Sequence, residues 1–208
     1  MARVKLLLTT FEPFGGESVN PAQLAGALVR PKRVELVRAD IPVSYDKAGR
    51  TAIAAVEREK PDMILCVGQA AGRTGLSFER VALNVDDAAA TDNDGVVKCD
   101  AVIEPMGENA YFSTLSVKAM ARGATEAGVT ASVSNSAGTY VCNHLLYELL
   151  HHEKGILCGF VHVPLTKEQA ENRLSSGKAK ALEPYMSPEE AARGIGAAID
   201  AAVTELGL

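Results

Sequence analysis

Runs of apolar residues alternate along the chain with segments in which apolar residues recur every three or four positions. The runs VKLLL, VELVRADI, MILCVG, FERVALNV, ASVS and ILCGFVHV predict β-strands. The intervening periodic segments predict helices over residues 20–30, 44–59, 110–122, 140–152 and 188–206. Because strands separated by helices need crossover connections, this order predicts an α/β fold with a largely parallel sheet.

The composition of individual strands refines this architecture. MILCVG and ILCGFVHV are almost entirely apolar, as expected for strands with helices on both faces, so we predict a three-layer α/β/α sandwich. FERVALNV alternates apolar and polar residues, which favours an edge or antiparallel position and hence a mixed sheet. A chain of 208 residues can bury one large core, and we predict one domain over residues 1–208. The least regular stretch, 86–109, is long enough to be a functional loop.

Charge and composition exclude several classes of function. The net charge is −5 and no segment concentrates Lys and Arg, so nucleic acid is not expected as a partner. The N-terminal MARVKLLLTTFEP lacks the apolar run of a secretory signal, and no run reaches the length of a membrane span. The four cysteines form no C-x-x-C or zinc pattern. We therefore expect a cytoplasmic protein that does not bind a membrane.

One of the cysteines occupies a position suited to chemistry. Cys66 and Cys158 lie in apolar strands and are expected to be buried. Cys142 instead falls in the first turn of the helix predicted over 140–152, after a polar, glycine-containing turn. The free backbone N–H groups and dipole of a helix N-terminus favour a thiolate and can hold an oxyanion. Cys142 is therefore a candidate nucleophile.

A cysteine nucleophile needs a base, and His162 is the best candidate. It ends the strand ILCGFVHV, and Cys142 follows the carboxyl end of ASVS, so both are expected at one rim of the sheet. His144 is two residues from Cys142 on the same helix and points to a different side. His151 and His152 close that helix, where histidines commonly cap the last carbonyls.

A carboxylate commonly orients the histidine, and the sequence offers three. In FERVALNV, the alternation places Glu79 on the same face as apolar residues, where a carboxylate needs a partner. That partner is either the histidine or an arginine, Arg73 or Arg80. Asp86 and Asp87 are the competing carboxylates, and spacing alone does not choose among the three.

Two loops add a candidate pocket. The loop TTFEPFGGESVNPA holds Phe11 and Phe14, two of only five phenylalanines, at the predicted rim. A small flat substrate could lie between such rings. Neither this loop nor GQAAGRTG matches a nucleotide phosphate-binding motif, so phosphate binding is not favoured.

Taken together, the motifs FEPFGG, ERVALN, AGTYVCNH and GFVHVP, in order over about residues 6–170, resemble the pyroglutamyl peptidase type I family. The resemblance implies a cysteine exopeptidase that removes an N-terminal 5-oxoproline residue from peptides through a thioester, with no metal or cofactor. It implies catalytic roles for Cys142, His162 and Glu79. It also implies a lactam pocket formed by Phe11, Phe14, Asn20, Gln69 and Val141. Family members often form dimers or tetramers, so a homo-oligomer is expected.

The chain departs from the family pattern at three positions. Ala89 replaces an arginine that, in the family, lies near the catalytic centre, where it can assist the oxyanion. Thr10 stands beside the aromatic loop where glycine is common, and Ser116 replaces proline. These departures motivate two alternatives: a related cysteine amidase with a shifted acyl preference, and a non-catalytic pyroglutamyl-binding homologue.

Overall fold

The computed structural model describes residues 4–207. Its strands are β1 (Val4–Phe11), β2 (Val34–Ile41), β3 (Met63–Gln69), β4 (Leu76–Glu79), β5 (Val81–Leu83), β6 (Asp86–Ala88), β7 (Lys98–Ala101), β8 (Ala110–Phe112), β9 (Ala131–Ser134) and β10 (Leu157–Val163). Its helices are α1 (Pro21–Leu28), α2 (Ala48–Glu59), α3 (Val117–Glu126), α4 (Val141–His152), α5 (Lys167–Ser175) and α6 (Pro188–Glu205).

Six strands form a central mixed sheet in the order β2-β1-β3-β10-β4-β9. β1 is parallel to β2 and β3, and β3 is parallel to β10. β4 then runs antiparallel to β10, and β9 is parallel to β4. The predicted α/β fold with a largely parallel, mixed sheet is confirmed, and the direction reverses between β10 and β4.

Two apolar layers cover the sheet, one on each face. Leu6 and Leu8 of β1 pack in the layer that includes α1, α3 and α6. Leu7 and Phe11 point the opposite way, into the layer formed with α2 and α4. This alternation follows from the two-residue period of a strand. It also explains why the central strand β3 is apolar throughout, since both of its faces are covered.

The structure corrects the prediction of one strand over FERVALNV. β4 ends at Glu79, and β5 leaves the central sheet to pair with β8 in a separate two-stranded sheet. Arg80 lies at this break, and its backbone bonds to Ser134 and Ser113. Glu79 therefore does not share one continuous strand face with the residues of β5.

The predicted helix over 110–122 is also wrong in its first half. Residues 110–112 form β8, and α3 starts only after Ser116, whose hydroxyl accepts a hydrogen bond from Ala119 N. The aromatic pair Tyr111 and Phe112 suits a strand better than a helix. A further helix, α5, was not predicted, although Thr166 and Gln169 form a capping box at its start. Within 86–109, β6 and β7 form a small antiparallel sheet.

Candidate active site

Cys142 is the second residue of α4, in the helix's first turn as the sequence predicts. Among the described helices, α2 and α4 have no side-chain cap at their N-termini. Side chains of Asn20, Ser116, Thr166 and Ser187 cap four other helices, whereas the N-cap residue of α4, Tyr140, makes no side-chain capping bond. Its first N–H groups are therefore available for an external acceptor such as an oxyanion.

The sulfur of Cys142 lies against the central sheet because β3 has a glycine beside it. A Cβ on Gly68 would stand 3.0 Å from the sulfur and 2.7 Å from the Phe160 ring. Burial raises the pKa of the Cys142 thiol to about 12, with further increases from Cys66 and Glu79. The expected stabilisation of a thiolate by the helix N-terminus is thus outweighed by desolvation, and the resting group is a neutral thiol.

His162 and Glu79 form a buried hydrogen-bonded pair. His162 Nδ1 lies 2.8 Å from Glu79 Oε1, and the two side chains are 4% and 0% exposed. The pairing of β10 with β4 brings them together, because Phe160 is opposite Glu79 and His162 opposite Ser77. Within residues 4–207, Nδ1 is the only ring nitrogen of His162 with a hydrogen-bond partner. Nε2 is therefore the nitrogen available to accept a proton.

The predicted reason for bringing Cys142 and His162 together was wrong. β9 runs antiparallel to β10, so its carboxyl end, Ser134, lies level with Glu79 and Phe160 rather than at the end of β10. Residues 135–140 then lead the chain to the start of α4. The sulfur contacts Gly68, which is the register partner of His162 across β3 and β10. The shared neighbour Gly68, not a shared rim, therefore brings Cys142 and His162 to the same part of the sheet.

Arg73 completes the surroundings of Glu79. Its Nη2 lies 3.2 Å from the same Oε1 that accepts from His162, and 3.1 Å from the Ser136 carbonyl oxygen. Glu79 Oε2 is buried with no hydrogen-bond partner within residues 4–207. The two alternatives weighed for Glu79 therefore occur together: the carboxylate binds the histidine and the arginine at once.

The other two carboxylates are committed elsewhere. Asp86 Oδ2 lies 2.8 Å from His144 Nδ1, and Glu148 lies 3.3 Å from the other ring nitrogen. Burial alone would lower the pKa of His144, but its bonds to Asp86 and Glu148 outweigh burial and raise it to about 9. The Asp87 carboxylate accepts from the Asp100 backbone N–H at 3.4 Å, and its backbone bonds to Thr139. His144 thus forms a second buried ionic cluster, with Asp86 and Glu148.

A small, largely apolar cavity opens beside Cys142. Eight residues line it: Phe11, Phe14, Asn20, Val43, Gln69, Tyr140, Val141 and Cys142. They include all five residues that the resemblance assigned to the substrate pocket. Val43 and Tyr140 are the two that the sequence did not predict. The Tyr140 ring lies 6.1 Å from the Phe14 ring, tilted by 37°. Its position next to Val141 was the signal available in the sequence. Val43 follows β2 and carried no signal of its own.

The polar residues of the cavity differ in how far their groups are already used. The Asn20 side chain accepts from Ala22 N and donates to the Glu12 carbonyl, so it shapes the loop 12–20. Gln69 Oε1 lies 3.5 Å from the amide nitrogen of the buried Gln169. Within residues 4–207, the amide nitrogen of Gln69 makes no hydrogen bond, while its oxygen is the atom that faces Gln169.

Residues 91–94 form an outer wall of the cavity and are hydrogen-bonded to the loops that line it. Asn93 donates to Glu12 Oε1 and to the Pro13 carbonyl, both at 3.0 Å, and its N–H donates to the Val43 carbonyl. The Tyr140 hydroxyl donates to the Thr91 carbonyl at 2.8 Å. The stretch predicted to be a functional loop therefore lies against the loops that carry the cavity's aromatic residues.

The departures from the family pattern lie outside this cavity. Thr10 points to the opposite face of β1 from Phe11, where its hydroxyl donates to Asp40 at 2.8 Å and its methyl group approaches Gly26. Ala89 follows β6 and is exposed. Ser116 caps α3. The expected effect of Thr10 on pocket shape is therefore not supported by its placement.

A thiol at an uncapped helix N-terminus, beside a histidine–carboxylate pair on a mixed α/β sheet, defines a cysteine hydrolase. The comparisons with known proteins agree. The pyroglutamyl peptidase family model matches residues 4–205, and the chain belongs to that family of cysteine peptidases. Within 4–207, no helix has the length and apolarity needed to cross a membrane.

Individual relatives match along almost the whole chain. The pyrrolidone-carboxylate peptidase of Alkaliphilus oremlandii is 41% identical over 96% of this chain and 93% of that protein. The crystal structure of Bacillus amyloliquefaciens pyroglutamyl peptidase I superposes with a TM-score of 0.87 at 33% identity, covering 97% of both chains. A mutant pyrrolidone carboxyl peptidase from Pyrococcus furiosus gives 0.89 at 38% identity, covering 98% of this chain and 100% of that one.

Proposed function

We propose that this protein hydrolyses the amide bond that follows an N-terminal pyroglutamyl residue in peptides. Cys142 is the nucleophile, His162 the general base and Glu79 the residue that orients the histidine. The observation that carries the proposal is the joint placement of the reactive sulfur and the small aromatic cavity, since Cys142 itself lines the cavity. Residues 1–208 act as one catalytic domain.

The first chemical step begins from the neutral thiol. As the sulfur attacks the pyroglutamyl carbonyl carbon, His162 Nε2 takes the thiol proton, and the imidazolium is stabilised by the bond from Nδ1–H to Glu79. The carbonyl oxygen becomes an oxyanion beside the uncapped N–H groups of α4. Concerted proton transfer suits a thiol that burial keeps protonated.

The second step releases the peptide and then the acid. The tetrahedral intermediate collapses to a thioester, the C–N bond breaks, and His162 gives its proton to the leaving amine. His162 then takes a proton from water, whose oxygen attacks the thioester carbonyl carbon. Breaking of the C–S bond releases pyroglutamate, and the proton returns to the sulfur. The cycle is redox-neutral and consumes one water.

Selectivity follows from the polarity of the cavity. A free N-terminal amine would carry a positive charge into an apolar space between Phe11, Phe14 and Tyr140, which is costly. The lactam of pyroglutamate is neutral and presents one N–H and one carbonyl. In this proposal the amide nitrogen of Gln69, a residue that lines the cavity, donates to that carbonyl, so prolyl peptides should be rejected.

The direct test is release of a fluorescent amine from a pyroglutamyl amide, with prolyl and alanyl amides alongside. We expect turnover of the pyroglutamyl amide only, abolished in Cys142→Ser. Turnover of other acyl amides would indicate the shifted acyl preference. Pyroglutamate binding without turnover by folded, reduced protein would indicate the non-catalytic homologue, and Ala89→Arg would then test the missing arginine.

The proposal extends to location and assembly. All four cysteines are free, which suits a reducing cytoplasm. Several large apolar side chains in the segment 96–112 are exposed, among them Val102, Met106 and Phe112, and a dimer or tetramer would cover them. Light scattering on the purified protein measures the assembly state.

A further inference from the structure

A second cluster of potential metal ligands lies at the end of α4 remote from Cys142. Glu104, His151 and His152 each place one ligand atom within 4.8 Å of the others. The two histidines occupy the last two positions of the 12-residue helix. At 1.5 Å per residue, they are separated from Cys142 by about 15 Å along the axis. The cluster is therefore distinct from the active site.

The histidines do not have the capping role expected from the sequence. Across 4–207, no hydrogen bond from either ring reaches a carbonyl of the last turn, and the Glu153 backbone caps the helix instead. His151 Nδ1 lies 2.9 Å from the Tyr111 hydroxyl, and the ring stacks on Tyr147 with an interplanar angle of 9°. Nδ1 is thus occupied, the ring orientation is fixed, and Nε2 is the nitrogen available to a metal.

This arrangement matches how proteins prepare a metal-binding histidine. A ligating histidine almost always uses its second ring nitrogen in a hydrogen bond that sets ring orientation. The Tyr111 hydroxyl provides that bond for His151. The ring of His152 lies close by, with a centroid distance of 4.7 Å from His151 and an edge-on orientation. One ring nitrogen of each histidine and a Glu104 carboxylate oxygen lie within 4.8 Å of one another.

The carboxylate ligand comes from a separate loop whose backbone is fixed. Asn84 accepts from the backbone N–H groups of Ile103 and Glu104 at 3.1 and 2.9 Å, and donates to the Glu104 carbonyl at 2.9 Å. The cluster also lies at a helix C-terminus, whose partial negative charge favours a cation. Position, orientation and charge therefore agree.

We propose that Glu104, His151 and His152 form a site for a divalent transition-metal ion of the Zn²⁺ type, with water completing the coordination. Two imidazoles and one carboxylate are a common ligand set for Zn²⁺. Because N/O sites also bind Ni²⁺ and Cu²⁺ in the general affinity order of divalent first-row metals, we expect these ions to bind as well. The ion would join the loop after β7 to the end of α4. It takes no part in the peptidase reaction, so its binding does not depend on the proposed function.

The test is calorimetric titration of Zn²⁺ into the Cys99→Ser, Cys142→Ser protein, which lacks the exposed and the reactive thiol. We expect one ion per chain. His152→Gln and Glu104→Gln should each weaken binding at least tenfold, and Tyr111→Phe about tenfold through the lost orienting bond. Glu57→Gln, which removes an exposed carboxylate on α2, should have no effect.

Zinc should also raise the melting temperature of this protein, because the ligands are assembled only in the folded state. The increase should disappear in His152→Gln, an exposed position where the substitution itself should not unfold the chain. Absence of Zn²⁺ binding to the Cys99→Ser, Cys142→Ser protein would overturn the proposal. Binding that survives both His152→Gln and Glu104→Gln would also overturn it.

Discussion

Glu79 and His162 are 83 residues apart in the chain, yet Oε1 and Nδ1 are joined by a buried 2.8 Å hydrogen bond. The bond exists because β4 enters the sheet antiparallel to β10. It requires the proton on Nδ1 and leaves Nε2 as the proton acceptor. The pair is therefore ordered before any substrate binds.

Replacing Glu79 by glutamine tests this pair. Glutamine preserves the shape but removes the charge that stabilises the imidazolium, so kcat should fall about 10²–10⁴-fold. Initial rates on the pyroglutamyl amide measure the loss, and circular dichroism checks the fold. Asp87→Asn is the matched control, because the Asp87 carboxylate is exposed and accepts from the Asp100 backbone N–H rather than from the histidine. Unchanged kcat in Glu79→Gln would remove Glu79 from the mechanism.

Arg73 is a positioning residue that acts through Glu79. Arg73→Met leaves Glu79 Oε1 with His162 as its one partner and leaves the Ser136 carbonyl with the Ser134 hydroxyl alone, so the histidine should lose its fixed position. We expect kcat to fall about 10- to 100-fold and the pH dependence of kcat/KM to shift.

Arg73→Lys should recover much of the rate by restoring the charge. Arg80→Met serves as the control, since Arg80 bonds to its neighbours through its backbone. An equal loss in the lysine and methionine variants would show that the guanidinium geometry, not its charge, matters.

Asn93 holds the cavity wall to the loop of Phe14. Asn93→Ala removes the bonds to Glu12 and Pro13, and the wall should become mobile while the catalytic groups stay in place. We expect KM to rise several-fold with kcat nearly unchanged, as for lost uniform binding. Asn93→Asp places a like charge beside Glu12 and should raise KM further. A fall in kcat alone would contradict this role.

Thr10→Gly restores the residue common in the family. Its hydroxyl and methyl group face Asp40 and Gly26, not the cavity, so kcat and KM for the pyroglutamyl amide should not change. Glycine in a strand and the lost hydrogen bond should lower the free energy of unfolding by about 1–2 kcal/mol. Denaturant titration measures this loss. A changed acyl preference would instead connect Thr10 to the pocket.

The buried His144 cluster predicts a pH dependence of stability. The pKa of His144 rises from 6.5 in the unfolded chain to about 9 in the folded protein. A raised pKa means that the folded state binds the proton more tightly. The stabilisation is complete below about pH 6.5 and is lost as pH rises through 9, by up to about 3 kcal/mol.

Denaturant titrations from pH 6 to 10 would measure this decline. His144→Gln should be less stable at pH 6.5, and its stability should change less over the same range. A wild-type curve that is flat between pH 7 and 9 would contradict the ionic cluster.

Periodicity predicted the alternation of strands and helices, because burial of one or both faces of an element determines the spacing of its apolar residues. It could not predict the break at Arg80, since β5 leaves the central sheet to pair with β8, which begins 29 residues after β5 begins. Periodicity also could not identify the carboxylate that binds His162. Glu79, Asp86 and Asp87 are equally plausible by spacing, and strand pairing distinguishes them.

The site shows a similar division. The position of Cys142 in the first turn of a helix made it a candidate nucleophile from the sequence. The sequence could not show that burial would raise the pKa of its thiol. Val43 and the wall formed by 91–94 depend on contacts between distant loops. Such contacts leave no periodic pattern in the chain.

The protonated state of the Cys142 thiol has a consequence for the protein's exposure to oxidants. Peroxides and disulfides react with the thiolate, so a thiol with a pKa of about 12 presents almost none of the vulnerable form near neutral pH. Cys99 is exposed, and no burial protects it. Oxidative damage to the resting protein should therefore begin at the exposed Cys99, while the Cys142 thiol remains reduced.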